Sequence, residues 1–288
     1  MPCYYPITGY RSRSGPDIGR NIWPIVFSYS KGFQDMPVQI PCGQCIGCRL
    51  ERSRQWAVRC IHEASLYLNN CFITLTYADN PVTLVKRDFV LFMKRLRKKY
   101  ATDRIKFFHC GEYGENLGRP HHHACLFNFD FPDKSLYRVN KRYRLYTSSS
   151  LSDLWGHGFC LIGDVTFDSA AYVARYVIKK VNGDKMIDHY KGLVPEYVTM
   201  SRRPGISHDW FVRYKNDIAA IDGVIVNKHK CKSLRYYDKL FDEVDSDNYK
   251  RIKAARTIKR SENDARLRIR EVCKRSTITN LNRSYEGS

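Results

Sequence analysis

The stretch Gly118-Arg119-Pro120-His121-His122-His123-Ala124-Cys125-Leu126-Phe127 carries the most chemistry per residue in the chain. Gly118 and Pro120 disfavour a helix, and Ala124, Leu126 and Phe127 are apolar, so the segment reads as a β-strand. Successive side chains in a strand point to opposite faces. His121 and His123 therefore share one face, and His122 takes the other. Two imidazoles on one sheet face are two ready ligands for a divalent ion. Glu112, in Cys110-Gly111-Glu112-Tyr113, closes the preceding apolar segment. If the two segments pair as a hairpin, its carboxylate is the third ligand. A His, His and carboxylate set leaves coordination positions open and suits Mg²⁺ or Mn²⁺ acting as a Lewis acid on a phosphate. The plainer alternative is three surface histidines beside a loop.

A second reactive stretch is Ala170-Ala171-Tyr172-Val173-Ala174-Arg175-Tyr176-Val177-Ile178-Lys179-Lys180. Tyr172 and Tyr176 are four residues apart and lie on one helix face, with Lys180 continuing the row. A phenol with a pKa of about 10 is a weak nucleophile until a cation stabilises the phenolate. Arg175, Lys179 and Lys180 are the candidates for that cation. Aromatic pairs at this spacing also serve as ordinary core contacts. Taken together, the two stretches suggest in-line attack of a tyrosine on a metal-polarised phosphodiester. The products are a 5′-phosphotyrosyl link and a free 3′-OH.

Eleven cysteines in 288 residues, with no secretory leader evident at Met1-Pro2-Cys3, argue for reduced thiols rather than a disulfide framework. Three of them form Cys42-x-x-Cys45-x-x-Cys48. Cysteines so spaced can grip a structural Zn²⁺, which needs a fourth ligand. Cys3, Cys60 and His62 are open candidates, and a group of free thiols is the alternative.

The elements that must position these residues are legible in part. Residues 1–40 read as irregular or as short strands. Residues 49–68 read as an amphipathic helix, Cys71–Tyr77 as a strand, and 86–100 as a basic amphipathic helix with Phe89, Phe92, Met93 and Leu96 inward. Ile105–Cys110 and His121–Phe129 read as strands joined by a turn at Gly111–Gly118. Residues 131–150 read as a polar loop insertion, Phe159–Phe167 as a strand, and 168–180 as a helix. The order predicts an α+β fold, an antiparallel sheet with helices on one side. Residues 1–70 form a Cys-rich segment and helix, 71–205 the core, and 206–288 a basic region with helical potential near 250–275.

The net charge of +20 points to a polyanionic partner, and no apolar run approaches the roughly 18 residues of a membrane helix. Lys94, Arg95, Arg97, Lys98 and Lys99, and the run holding Arg138, Lys141, Arg142 and Arg144 with Tyr137 and Tyr143, mix cations with aromatics. Such mixtures bind single-stranded nucleic acid through phosphate contacts and stacking. A solvated charged face is the alternative.

The Pro120-His121-His122-His123 strand resembles the HUH motif of rolling-circle replication initiators. Phe72-Ile73-Thr74-Leu75-Thr76-Tyr77 resembles the strand that precedes it in that family, and Tyr172 to Lys180 its two-tyrosine motif. The segments Pro41 to Glu51 and Ser53 to Ala57 are similar to those of initiators from small single-stranded DNA phages of the Microviridae, gokushovirus type. The resemblance covers about residues 1–205. It implies an RRM-like HUH endonuclease core, with His121, His123 and Glu112 as metal ligands and Tyr172 and Tyr176 as nucleophiles. It implies origin DNA, single-stranded or melted, as substrate in the bacterial cytoplasm. One departure is Arg175, which stands where that family commonly has lysine. No Gly-x-x-x-x-Gly-Lys-Ser/Thr motif occurs, so unwinding is expected from a host helicase and extension from a host polymerase. The competing readings are a zinc-bearing, non-catalytic nucleic-acid-binding regulator and a hydrolytic metal-dependent nuclease.

Overall fold

A computed structural model describes residues 3–16, 23–102, 104–114, 117–140, 143–179, 185–226, 228–256 and 263–279; side chains at 140, 175–179, 185, 278 and 279 lie outside that description. The chain divides into two compact units, Met1–Glu51 with Lys259–Ser288, and Arg52–Ile258.

In the first unit, residues 1–40 are more regular than their composition suggests. Strands β1 (Ile7–Ser12), β2 (Ile25–Val26) and β3 (Gly32–Ile40) form a sheet in the order β2-β1-β3. Gly9 and Gly32 make close backbone approaches that a Cβ would block, since one at Gly32 would lie 2.3 Å from Tyr10 Cβ. The boundary between the units falls within α1 (Ile46–Ala64).

The second unit is built on an antiparallel sheet. After α1 come β4 (Asn70–Thr76), α2 (Lys86–Lys99), β5 (Lys106–Tyr113) and β6 (Pro120–Phe127). Next are β7 (Ser135–Asn140), β8 (Tyr143–Thr147), α3 (Ser149–Trp155), β9 (Cys160–Gly163) and α4 (Phe167–Lys179). A short helix α5 (Lys185–Tyr190) leads to β10 (Tyr197–Met200). The sheet runs β10-β5-β6-β4-β9-β8-β7. The α+β class and antiparallel sheet are those read from the sequence.

Two local readings change. Residues 131–150 form the β7–β8 hairpin and the start of α3, not a loop. Asp133 accepts hydrogen bonds from Ser148 Oγ, Ser149 Oγ and the Ser150 backbone N–H, and Ser148 caps α3 through the Leu151 N–H, so the serine run organises a helix start. The turn after Cys110 also begins later, because β5 stays paired through Tyr113, opposite Pro120.

Alternation divides the sheet residues between two faces. One face sends Ile73, Leu75, Ala124, Leu126 and Ile162 into a core completed by Phe89, Phe92, Met93 and Leu96 of α2 and Leu151, Leu154 and Trp155 of α3. On the opposite face Trp56 of α1 stacks on Phe108 at 4.8 Å, and Tyr172 of α4 meets Phe72 edge-on. The sheet is thus covered more fully than a one-sided layer of helices covers it.

The remaining elements are α6 (His208–Ile221), β11 (Gly223–Val226), β12 (His229–Lys232), α7 (Arg235–Val244) and α8 (Ser246–Ala255), and, in the first unit, α9 (Asp264–Thr279). Around α6 and α7 lies a second core of Phe211, Ile218, Val224, Leu234, Tyr237 and Phe241, joined by Val58 of α1. Arg256 closes it by pairing with Asp222 and Asp238.

His62 of α1 is 3% exposed, stacks on Trp210 at 3.6 Å and shares a 2.7 Å hydrogen bond between Nδ1 and the Tyr237 hydroxyl. Burial lowers its pKa to about 4, offset only in part by a hydrogen bond involving the Ile225 backbone. The unfolded chain therefore takes up this proton first as pH falls. Stability from His62 is complete above about pH 6.5 and is lost towards pH 4, a change of roughly 3 kcal/mol. Urea midpoints measured across that window should fall, and His62→Asn should flatten the fall.

Candidate metal and tyrosine site

The register of β5 and β6 sets Glu112 directly opposite His121 and Cys110 opposite His123. Glu112, His121 and His123 therefore meet on one face. Glu112 Oε1 lies 2.9 Å from His121 Nε2 and 2.8 Å from His123 Nε2. The carboxylate is 1% exposed. Burial pushes its pKa up, but the His121 and His123 imidazoles outweigh burial, and the net shift is downward.

The outer nitrogens of both rings are engaged. His121 Nδ1 donates to the Arg119 carbonyl at 3.0 Å, and His123 Nδ1 lies 2.9 Å from Thr74 Oγ1 on β4. A carbonyl only accepts, so the His121 proton sits on Nδ1. In the neutral ring, the Nε2 lone pair then points at a carboxylate oxygen that is also an acceptor. Such a contact is favourable only with a second proton or a cation between them. The donor set fits a cation. Adjacent ligands about an octahedral ion at roughly 2.1 Å lie roughly 3 Å apart, and the two contacts here are 2.8 and 2.9 Å. Nδ1 partners that fix ring orientation are the usual support of histidine ligands.

His122 points the other way. Its Nε2 lies 3.0 Å from the Tyr77 hydroxyl and its Nδ1 3.1 Å from His109 Nε2. Tyr77 donates to Asp88 of α2. His109 stacks on Phe89 at 3.5 Å and reaches Thr199 of β10. Burial lowers the His122 pKa to about 3, so the ring is a neutral core group.

Tyr172, in the first half of α4, is 7% exposed. Its ring meets His123 edge-on at 5.1 Å and Phe72 at 6.5 Å. One of the two sequence-nominated tyrosines thus lies against a histidine of the cluster. Arg175, Tyr176 and Lys179 belong to α4, but their side chains lie outside the described residues, as does all of Lys180.

The basic residues of α2 are not brought to this site, because α2 covers the opposite face of the sheet. Arg95 donates to the Leu154 and Trp155 carbonyls, Arg97 to the Ile105 carbonyl, and Lys99 to Ser150 Oγ. Lys94 and Lys98 line an open basic hollow of about 430 Å³ there. Arg144 is exposed on β8, and Arg142 lies outside the described residues. Sequence reasoning missed Thr74, for which a threonine facing a histidine across two strands was the available signal.

The cysteines form a second candidate metal centre. The sulfurs of Cys3, Cys42, Cys45 and Cys48 lie within 4.8 Å of one another. Cys3 is the fourth member. Cys60 instead is buried with its free thiol hydrogen-bonded to the Cys125 side chain, and His62 is held by Trp210 and Tyr237. Two sulfurs bound tetrahedrally at roughly 2.3 Å are roughly 3.8 Å apart, and Cys3 Sγ lies 3.8 Å from Cys45 Sγ. Backbone N–H groups of Tyr4, Cys42 and Cys45 donate to Cys45, Cys3 and Cys42 sulfurs respectively. Gly43, at φ 73°, supplies the left-handed residue the loop needs. Burial raises the Cys45 pKa, but hydrogen bonds from the Tyr4 and Cys48 backbone N–H groups and from the Cys48 and Cys42 thiols outweigh it and bring it to about 7.

The family of replication-associated proteins ORF2/G2P matches residues 70–181, which hold six of the seven strands of the sheet, the histidines and the tyrosine helix. The replication-associated protein ORF2 of Spiroplasma virus 4 is 34% identical over 229 residues, covering 73% of this chain and 70% of that protein. VP4 of Bdellovibrio phage phiMH2K, also a replication-associated protein, is 36% identical over 226 residues, 74% of this chain and 68% of its own. ORF4 of Chlamydia phage 1, a third, is 29% identical and covered over 55% of its length. The chain belongs to this family of phage replication-associated proteins. No solved structure matches it.

Gly111 precedes the carboxylate and lets Tyr197 of β10 lie against the strand. A Cβ there would sit 2.8 Å from the Tyr197 ring. Gly111→Ala should destabilise the fold by roughly 1–3 kcal/mol, as overpacking does. Chemical denaturation measures the loss, and Tyr197→Leu should recover part of it in the double variant.

Proposed function

We propose that this protein initiates rolling-circle replication by nicking and rejoining single-stranded origin DNA through a phosphotyrosyl intermediate. The observation that carries the reading is one buried carboxylate facing two imidazole Nε2 atoms, with a tyrosine ring against one of those imidazoles. Membership among phage replication-associated proteins supports it.

Glu112, His121 and His123 would hold Mg²⁺ or Mn²⁺. When bound, such an ion supplies Lewis-acid polarisation of a phosphate oxygen. Thr74 and the Arg119 carbonyl keep the two rings turned so that both Nε2 atoms face the Glu112 carboxylate, where they would serve as ligands. A tyrosine of α4, Tyr172 or Tyr176, attacks phosphorus through its phenol oxygen. The new O–P bond replaces the bond from phosphorus to the 3′-oxygen, and the proton lost by the phenol ends on that 3′-oxygen. Arg175, Lys179 or Lys180 lowers the cost of the phenolate. The ester bond is conserved, so a 3′-OH can reverse the reaction and rejoin strands. The free 3′-OH primes a host polymerase, behind a host helicase, in the bacterial cytoplasm. A zinc-bearing binder gives no cleavage, and a hydrolytic nuclease gives no adduct.

The protein incubated with Mn²⁺ and single-stranded DNA of the genome that encodes it should yield a covalent protein–DNA adduct on a denaturing gel. The adduct should vanish in the Tyr172→Phe, Tyr176→Phe double variant and fall at least tenfold in Glu112→Gln, which keeps the shape and removes the charge. Cleavage without an adduct, or binding without cleavage, counts against the proposal.

The cysteine cluster would hold structural Zn²⁺ through Cys3, Cys42, Cys45 and Cys48. Protein purified without chelator should contain one zinc per chain by mass spectrometry, and Cys45→Ser, Cys48→Ser should contain none. Cobalt substitution should give the intense visible bands of a tetrahedral thiolate site. A folded, metal-free wild type would sink this assignment.

A further inference from the structure

The site face of the sheet is covered at one end by α4 and open at the other. Across the strands at the level of the cluster, Glu112 faces His121, His121 faces Thr76 of β4, and the Phe159 carbonyl accepts from the Thr76 N–H at 3.0 Å and from Thr76 Oγ1 at 2.7 Å. Phe159 precedes Cys160, whose side chain enters the core on the α2 side. Alternation therefore turns Phe159 to the face of His121 and His123. With strands about 4.8 Å apart, it stands about 10 Å from His121.

Phe159 is 50% exposed, and its ring meets that of Tyr137, itself 57% exposed, at 5.6 Å. Two neighbouring aromatic rings half in water have a cost that a folded core does not repay. The backbone is irregular beside each of them. The β7–β8 register slips between Leu136 and Arg138, a bulge that re-aims Tyr137. At the other partner, Gly158 brings the chain so close to β4 that a Cβ would sit 2.5 Å from Ala78 N and 2.8 Å from the Thr76 carbonyl oxygen. Arg138, exposed, pairs with Leu145. A Cβ at Gly163 would touch both Leu145 and Phe72, and Phe72 stacks on His123. Arg138 thus belongs to this same face.

We infer that Tyr137 and Phe159 form a stacking platform for a base of the single-stranded DNA lying next to the phosphate held at the Glu112–His121–His123 site, with Arg138 on the adjoining phosphate. The inference rests on the proposed function for the identity of the phosphate it flanks. Single-stranded DNA is the occupant because every base offers a π-face to an aromatic ring and the backbone complements Arg138. A second copy of a chain carrying +20 would be repelled from this face.

The test measures anisotropy of a fluorescein-labelled oligothymidine, without metal, on the full chain. Tyr137→Ala, Phe159→Ala should bind at least about fivefold more weakly, with an unchanged dependence on salt. Arg138→Ala should instead reduce the salt dependence. Tyr137→Phe should bind as wild type, since it keeps the ring. Phe159→Leu, which keeps apolar bulk and loses the π-face, should behave like the alanine variant and guards against misfolding as the cause. Unchanged affinity in the double variant, full binding by Phe159→Leu, or a change in sedimentation rather than in DNA affinity overturns the inference. The outcome is independent of the adduct. Weakened binding with no wild-type adduct retains the platform and removes the nicking reaction, and an adduct with unchanged affinity does the reverse.

Discussion

The pairing register of β5 with β6 is the constraint on which the site depends. Side chains alternate with a period of two, so a slip of one residue would carry His121 and His123 to the α2 side and bring His122 out in their place. His122 resists that slip. It sits in a buried polar chain running from Asp88 through Tyr77 and His122 to His109 and Thr199, which spans α2, β6, β5 and β10. A slipped register would break both His122 bonds, leaving Tyr77 and His109 each short of a buried partner, and buried polar groups left so are costly. The middle histidine of the triplet thus secures the register, and its two neighbours occupy the site that the register creates.

The two faces of the sheet then divide the work. The α2 side is filled by aromatic and aliphatic side chains and is where the fold gains its burial energy. The opposite side carries the cluster at the margin of α4, with Tyr172 edge-on to His123. A carboxylate 1% exposed is tolerated there because two imidazoles face it and hold its pKa down despite burial. Ring orientation is set from outside the cluster by Thr74 and the Arg119 carbonyl.

Much of this was legible in the sequence, for identifiable reasons. The alternation in His121-His122-His123 and the apolar tail to Phe127 specified both the strand and the two-faced histidines. Phe89, Phe92, Met93 and Leu96 marked the α2 stripe, and it packs as read. The β7–β8 hairpin was not legible, because its Leu136, Tyr137 and Val139 are exposed at the sheet edge and lack the one-sided pattern of a half-buried strand. Spacing could not choose among Cys3, Cys60 and His62, since Cys3 is brought back to the Cys42–Cys48 loop by a β1–β3 pairing far apart in sequence. The charges of α2 were equally visible, but their place relative to the cluster was not. A helix's cations show in its sequence, whereas the face of the sheet it covers depends on chain topology.

Topology also bears on how a largely covered tyrosine can belong to a reactive site. Helix α4 follows β9 directly and crosses onto β5, β6 and β10, so its first turns are pressed against the strands that bear Glu112 and His123. Tyr172 falls in that pressed portion. The same packing that covers the Tyr172 ring is therefore what sets it edge-on to His123 and Phe72.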